Sequence, residues 1–146
     1  MSDRKIIFMT AIAIYIVWSA LFITSVVLPA PIVYAVQPFS IDKDEYVTSD
    51  SMIISSYRCN NEGKPLVVQT VERYFFNVDT GYRYDMPSSP GVVQAGCSWQ
   101  QAVVHNGFHP DMPSGEYVKR GVTRAKGRFS TVDVPWQTEH FKYIKE

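Results

Sequence analysis

The stretch Leu66–Tyr84, LVVQTVERYFFNVDTGYRY, decides the fold. Its apolar residues are β-branched or aromatic, types that suit a pleated surface, and no helical period runs through them. Leu66–Val78 therefore reads as one long strand, Asp79-Thr80-Gly81 as a tight hairpin loop, and Tyr82–Tyr84 as the short returning strand. Consecutive strand residues point to opposite faces, so Phe75 and Phe76 cannot both enter a core. One of them is expected to cover a second sheet, pack under a loop or meet a partner. The pair is the first candidate for an interaction surface.

Working outward, the same alternation recurs. Met52–Cys59 places Ile53, Ser55, Tyr57 and Cys59 on one face, and Asn60, Asn61 and Gly63 make a turn. Pro87, Pro90 and Gly91 break the chain, and Ala95–Val104 then carries Cys97 and Trp99 on one side. Past the Pro110–Ser114 corner, Glu116–Val122 and Phe129–Val134 flank a basic turn at Thr123–Arg128. Glu139–Ile144 closes the chain with Phe141 and Tyr143 on one side and His140 and Lys142 on the other. About seven short strands at roughly 8–12-residue spacing predict an all-β, antiparallel sandwich over residues 46–146.

The N-terminal part is of another kind. Ile6–Leu28, IIFMTAIAIYIVWSALFITSVVL, contains no charge. As a helix it would span roughly 34 Å at ~1.5 Å per residue, enough for a ~30 Å hydrocarbon core. Arg4 and Lys5 precede it, and no base follows until Lys43, so residues 1–5 are expected in the cytoplasm and the remainder on the far side. Pro29 and Pro31 are expected to stop the helix. Residues 29–45 read as a polar, Pro-containing tether. Val33 and Ala35 could serve a signal-peptide cleavage before Val36, but the apolar run exceeds the ~7–15 residues of a signal-peptide core, which favours an uncleaved anchor. The lipid bilayer is thus the first expected partner, through residues 6–28.

Charge says little about partners. The chain has 14 basic and 14 acidic residues, and beyond residue 35 the bases number 12 and the acids 13, so neither a polyanion binder nor an acidic tail is indicated. Lys119, Arg120, Arg124, Lys126 and Arg128 do gather in KRGVTRAKGR. Arg124, Lys126 and Arg128 join Phe75 and Phe76 as a candidate interaction surface, against the plainer reading that such bases keep an edge strand from pairing with another sheet. Nucleic acid is not an expected partner, because few aromatics are interleaved with the bases.

The two cysteines, Cys59 and Cys97, would pair in an oxidising compartment; in a reducing one they would be free thiols, and neither belongs to a CxxC. HNGFH spaces His105 and His109 by four, but Gly107 and Pro110 favour a loop, and the glutamate of a metalloprotease helix is missing. No G-x-S-x-G elbow accompanies the serines. No catalytic, metal-binding or cofactor-binding residue is assigned.

The order of SYRCN, RYFFNVDTGYRYDMP, AGCSW, MPSGEYVKRGV and TEHFKYIKE behind an N-terminal anchor resembles small single-pass membrane proteins encoded by bacteriophages. In these the exported part is an immunoglobulin-like sandwich. The resemblance implies an immunoglobulin-like domain held in the periplasm by the inner membrane of an infected cell, with a protein partner in the envelope or the phage. The cysteine spacing is shorter than usual for a bridge between sheets, which points to a bridge between neighbouring strands. The expected role is a non-enzymatic binding or structural module; the alternative is an envelope-active lysis or superinfection-exclusion factor.

Overall fold

The computed structural model describes residues 3–26, 30–105, 107–128 and 130–146. One helix, α1 (Asp3–Val26), precedes a domain built from strands. The helix contains no Pro or Gly, and its apolar residues surround it rather than forming a stripe. Nothing in its window Lys5–Phe22 is buried, and the consecutive residues Ile16, Val17 and Trp18, which point in three directions about 100° apart, are all exposed. The helix is long and apolar enough to cross a membrane. The expected last residues of the span, Val27 and Leu28, and the expected stop at Pro29 lie outside the described residues.

Eleven strands follow among the described residues: β1 (Ile32–Tyr34), β2 (Ser40–Ile41), β3 (Glu45–Val47), β4 (Met52–Asn60), β5 (Leu66–Asn77), β6 (Arg83–Asp85), β7 (Ser89–Val93), β8 (Gly96–Val104), β9 (Gly115–Lys126), β10 (Thr131–Gln137) and β11 (Phe141–Ile144). They form two sheets. In the smaller, β4 pairs along its whole length with β8, while β1 and β2 share its other edge. In the larger, β5 and β9 form the centre. β6 and β7 share the free edge of β5, and β10 and β11 share that of β9. β3 lies parallel to β11, so the larger sheet is mixed rather than purely antiparallel.

Side-chain parity explains how the sheets meet. Met52 and Ile54 of β4 face Phe75 of β5, Tyr117 of β9 and Phe141 and Tyr143 of β11 in one core cluster. Ile32, Leu66, Val68, Val93 and Ala125 form a second cluster. The expected parity of β11 holds, with Phe141 and Tyr143 inside. In β5 a bulge between Thr70 and Glu72 inserts one residue. Inward positions therefore run 66, 68, 70 and then 73, 75, 77. At the hairpin after β5, Gly81 takes φ +70°, a conformation open to glycine. Asn77 closes that turn, its side-chain oxygen accepting from Asp79 N and Thr80 N.

Three expectations need correction. Residues 29–45 are not a free tether: β1 and β2 pair with β4, and Ile32 and Phe39 are buried. Pro31 and Pro38 stand just before the short edge strands β1 and β2, where a missing N–H breaks no ladder. Ser89–Val93, read as a break, is the edge strand β7, with Pro90 opposite Gln69. Thr123–Lys126, read as turn, completes β9, because small Gly121, Thr123 and Ala125 alternate inward while Arg124 and Lys126 point out. The expected strand start at Phe129 lies outside the described residues.

Candidate functional site

The basic hairpin and the aromatic pair do not converge. Phe75 is 1% exposed and packs against Phe108 and Phe141, so it cannot belong to a surface. Phe76 lies on the outer face, where the Arg120 guanidinium sits 4.3 Å from its ring centroid. Arg124 is held by Asp133 through two hydrogen bonds of 2.7 and 2.8 Å across the β9–β10 ladder. That pair holds the Asp133 carboxyl below its usual range. Lys126 is exposed, and the Arg128 backbone N–H donates to Glu62.

Cys59 and Cys97 lie directly opposite one another on β4 and β8 and form a disulfide. The bridge therefore joins neighbouring strands of one sheet, as the short spacing led one to expect. Beside it on the outward face Tyr57 meets Trp99 at 5.6 Å, and Val33, Trp99 and Val103 leave that face substantially apolar. His105 meets Ser51, and His109 Nδ1 accepts from Asp111 N. Among the described residues no group of three or more His, Cys, Asp or Glu could hold a metal.

What does converge lies between the sheets. A cavity of about 180 Å³ is bounded by inward residues of β1, β4, β5, β7, β8, β9 and β10, together with Phe39. Three of its lining residues are basic, namely Arg58 of β4, Arg73 of β5 and Lys119 of β9, and none is acidic. Lys119 is 1% exposed, with its ammonium 5.2 Å from the Phe75 ring centroid. Burial, reinforced by the charge of Arg73, lowers its pKa to about 7. Each arginine is oriented through Nε alone: Arg58 donates to Ser56 Oγ at 2.7 Å, and Arg73 donates to Pro87 O at 2.6 Å. Their terminal nitrogens enter none of the ion pairs among the described residues.

The opposite wall is aromatic and hydroxylic. Tyr34 donates to Thr123 Oγ1 at 2.9 Å, and Trp136 Nε1 donates to the same oxygen at 3.1 Å. With both lone pairs engaged, the threonine proton is left to be donated. Phe39 stacks on Trp136 at 5.4 Å and meets Tyr34 edge-on at 5.0 Å. Trp136 can reach this position because Gly121 lies opposite it: a Cβ there would stand 2.3 Å from Trp136 Cζ2. Tyr34 is itself buried, which raises its pKa against the lowering effects of Thr123 and Arg58.

Sequence reasoning missed this site. Lys119 belongs in sequence to the basic run KRGVTRAKGR, whereas strand parity sets it on the face of Tyr117 and Thr123. Arg73 points inward only because of the bulge before it, which no local pattern announces.

Fold and site together define an all-β, two-sheet domain with a basic internal cavity, preceded by an apolar helix. No protein-family model matches the chain, and no curated protein is a significant match. Among solved structures the chain is similar to the Pseudomonas fluorescens alkylpurine DNA glycosylase AlkC, with TM-score 0.44 and 10% identity, covering 79% of this chain and 31% of that one. It is also similar to the β-glucosidase EmGH1 of Erythrobacter marinus (TM-score 0.43, 12% identity, 77% and 15% covered). A ceramidase is comparable (TM-score 0.44, 12% identity, 77% and 20% covered). The chain spans less than a third of each of these proteins, and no activity is transferred from them.

Proposed function

We propose that this protein is a membrane-tethered binding module, presenting an immunoglobulin-like β-sandwich outside the cytoplasm and performing no chemistry of its own. The observation that carries the reading is the unburied, apolar-all-round helix α1. In water such a helix would expose a continuous apolar surface, an arrangement that a bilayer satisfies and a soluble fold does not. The Cys59–Cys97 bridge fits an oxidising compartment.

One feature favours an anchor over a cleaved signal. Cutting after Ala35 would strip β1 from β4, remove Ile32 from its core cluster and take Tyr34 from the cavity wall. The described strands also begin only a few residues beyond the helix, so the domain would sit close to the bilayer.

The immunoglobulin-like reading is supported by the chain path. The chain crosses from β4 to β5, returns from β7 to β8, and crosses again to β9, with β4–β8 pairing in one sheet and β5–β9 in the other. The first strands divide between the sheets, and β3 runs parallel to the last strand. This is the Greek-key logic of such sandwiches, here with a bridge inside one sheet instead of between two. A phage-encoded protein in the host inner membrane is the reading that the sequence resemblance alone implies. The apolar outer face around Trp99 supports protein binding. The ion pair of Arg124 with Asp133 takes one charge out of the basic hairpin and weakens the case for an envelope-disrupting role.

Protease added outside intact spheroplasts tests this directly. The proposal expects the β-domain to be digested, or released as a folded fragment, while the cytoplasmic end stays protected. Complete protection of the chain until the membrane is lysed would refute it.

A further inference from the structure

We propose that the inter-sheet cavity is a binding site for a small oxyanion, a phosphate or carboxylate group held among Arg58, Arg73 and Lys119. Three observations converge on it. The lining brings three cations from three different strands to one partly open cavity and includes no carboxylate. Lys119 is 99% removed from solvent and enters no ion pair among the described residues. The arginines spend only Nε on the protein, so their terminal donors are available, and Thr123 has a proton left to give.

A buried cation without a counter-ion is costly, and like charges facing one space repel, so the empty cavity works against stability. An oxyanion reverses both penalties and accepts the free donors through charge-assisted hydrogen bonds. Burying Lys119 also tunes its charge. With its proton affinity lowered into the neutral range by burial and by Arg73, it can be neutral in the empty cavity and protonated against an anion. The charged groups facing it are Arg73 from β5 and Arg58 from β4, and Tyr34 faces the same space from β1.

Size restricts the ligand. At about 180 Å³ the cavity falls below the roughly 300–1,000 Å³ of pockets for drug-sized ligands, which suits a small anion rather than a nucleotide or a peptide. The aromatic wall of Tyr34, Phe39 and Trp136 leaves room for an apolar portion beside the charged group.

The inference does not rest on the membrane reading, because the cavity is internal to the β-domain and can be tested in detergent whatever the compartment. Full-length protein in nonionic detergent and chloride buffer is titrated with inorganic phosphate in one arm and benzoate in the other, following the thermal midpoint and the binding heat. The wild type is expected to show a saturable rise in midpoint in at least one arm. A response to phosphate alone assigns a tetrahedral anion, and a response to benzoate alone assigns a carboxylate with an apolar body. Lys119→Met, which keeps the volume and removes the charge, is expected to weaken that binding by about tenfold to a hundredfold, the loss of one charge-assisted hydrogen bond. Arg73→Gln, on another strand, gives the same reading if Lys119→Met does not fold. Arg124→Gln, on the outer face, is expected to bind like wild type. The proposal is overturned if neither anion produces a saturable response. It is equally overturned if the cavity variants bind as wild type does, or if Arg124→Gln alone loses the response.

Discussion

Replacing Lys119 by Met should stabilise the protein, and more so at neutral than at alkaline pH. The ordinary lysine value of 10.5 falls to about 7 for Lys119, chiefly through burial and secondarily through the Arg73 charge. Between those two values an unfolded chain holds a proton that the native chain lacks. Unfolding there takes up a proton, so native stability rises with pH across this window. Below pH 7 both states are protonated and the full cost of burying the charge is carried. At about 1.4 kcal/mol per pH unit, the interval from pH 7 to pH 9 should add about 2–3 kcal/mol to the wild type from this residue. Lys119→Met has no such proton to exchange, so its advantage over wild type should shrink by that amount over the same interval. Urea unfolding of the full-length chain in detergent, followed by circular dichroism in chloride buffers without oxyanions, measures the difference. Parallel stability curves for the two proteins from pH 7 to pH 9 would refute the reasoning, as would a Lys119→Met variant less stable than wild type at pH 7.

Other perturbations test other parts of the fold. Replacing both Cys59 and Cys97 by Ser opens a link across 38 positions and should cost about 2–4 kcal/mol, read as a lower urea midpoint under non-reducing conditions. Gly121→Ala would place a Cβ 2.3 Å from Trp136 Cζ2 and 2.9 Å from Glu72 O, which should cost at least about 1–3 kcal/mol. Displacement of the indole in that variant should weaken the near-ultraviolet dichroism. Phe75→Ala should cost about 3–5 kcal/mol, whereas Phe76→Ala, which removes an outer-face contact with Arg120, should cost clearly less in the same unfolding assay.

The alternation of the chain disclosed most of the long strands. Met52–Cys59, Leu66–Val78 and Glu139–Ile144 carry enough β-branched and aromatic residues at period two to set their existence, and in Glu139–Ile144 the two faces as well. Short edge strands were harder. β1, β2 and β7 contain or adjoin proline, which in isolation signals a break; only the neighbour strand shows that the missing donor faces away from the ladder. The basic run misled for a related reason. Five bases close in sequence look like one surface, yet period two sends Lys119 into the interior and Arg120 onto the ring of Phe76. Arg58 was legible by parity with Met52 and Ile54. Arg73 was not, because a single inserted residue in β5 reverses every face after it. The basic lining of the cavity is therefore a property of three strands distant in sequence, and its chemistry emerges only when they are brought together.

A tethered module requires α1 to reside in a bilayer while the disulfide-bearing domain lies in an oxidising space. Treating unboiled membrane and aqueous fractions with a thiol-reactive polyethylene glycol, before and after reduction, examines both conditions at once. The expected result is a chain found in the membrane pellet, unlabelled as isolated and shifted by two adducts once reduced. A full-length chain in the aqueous fraction, with two adducts formed without any reductant, would contradict it.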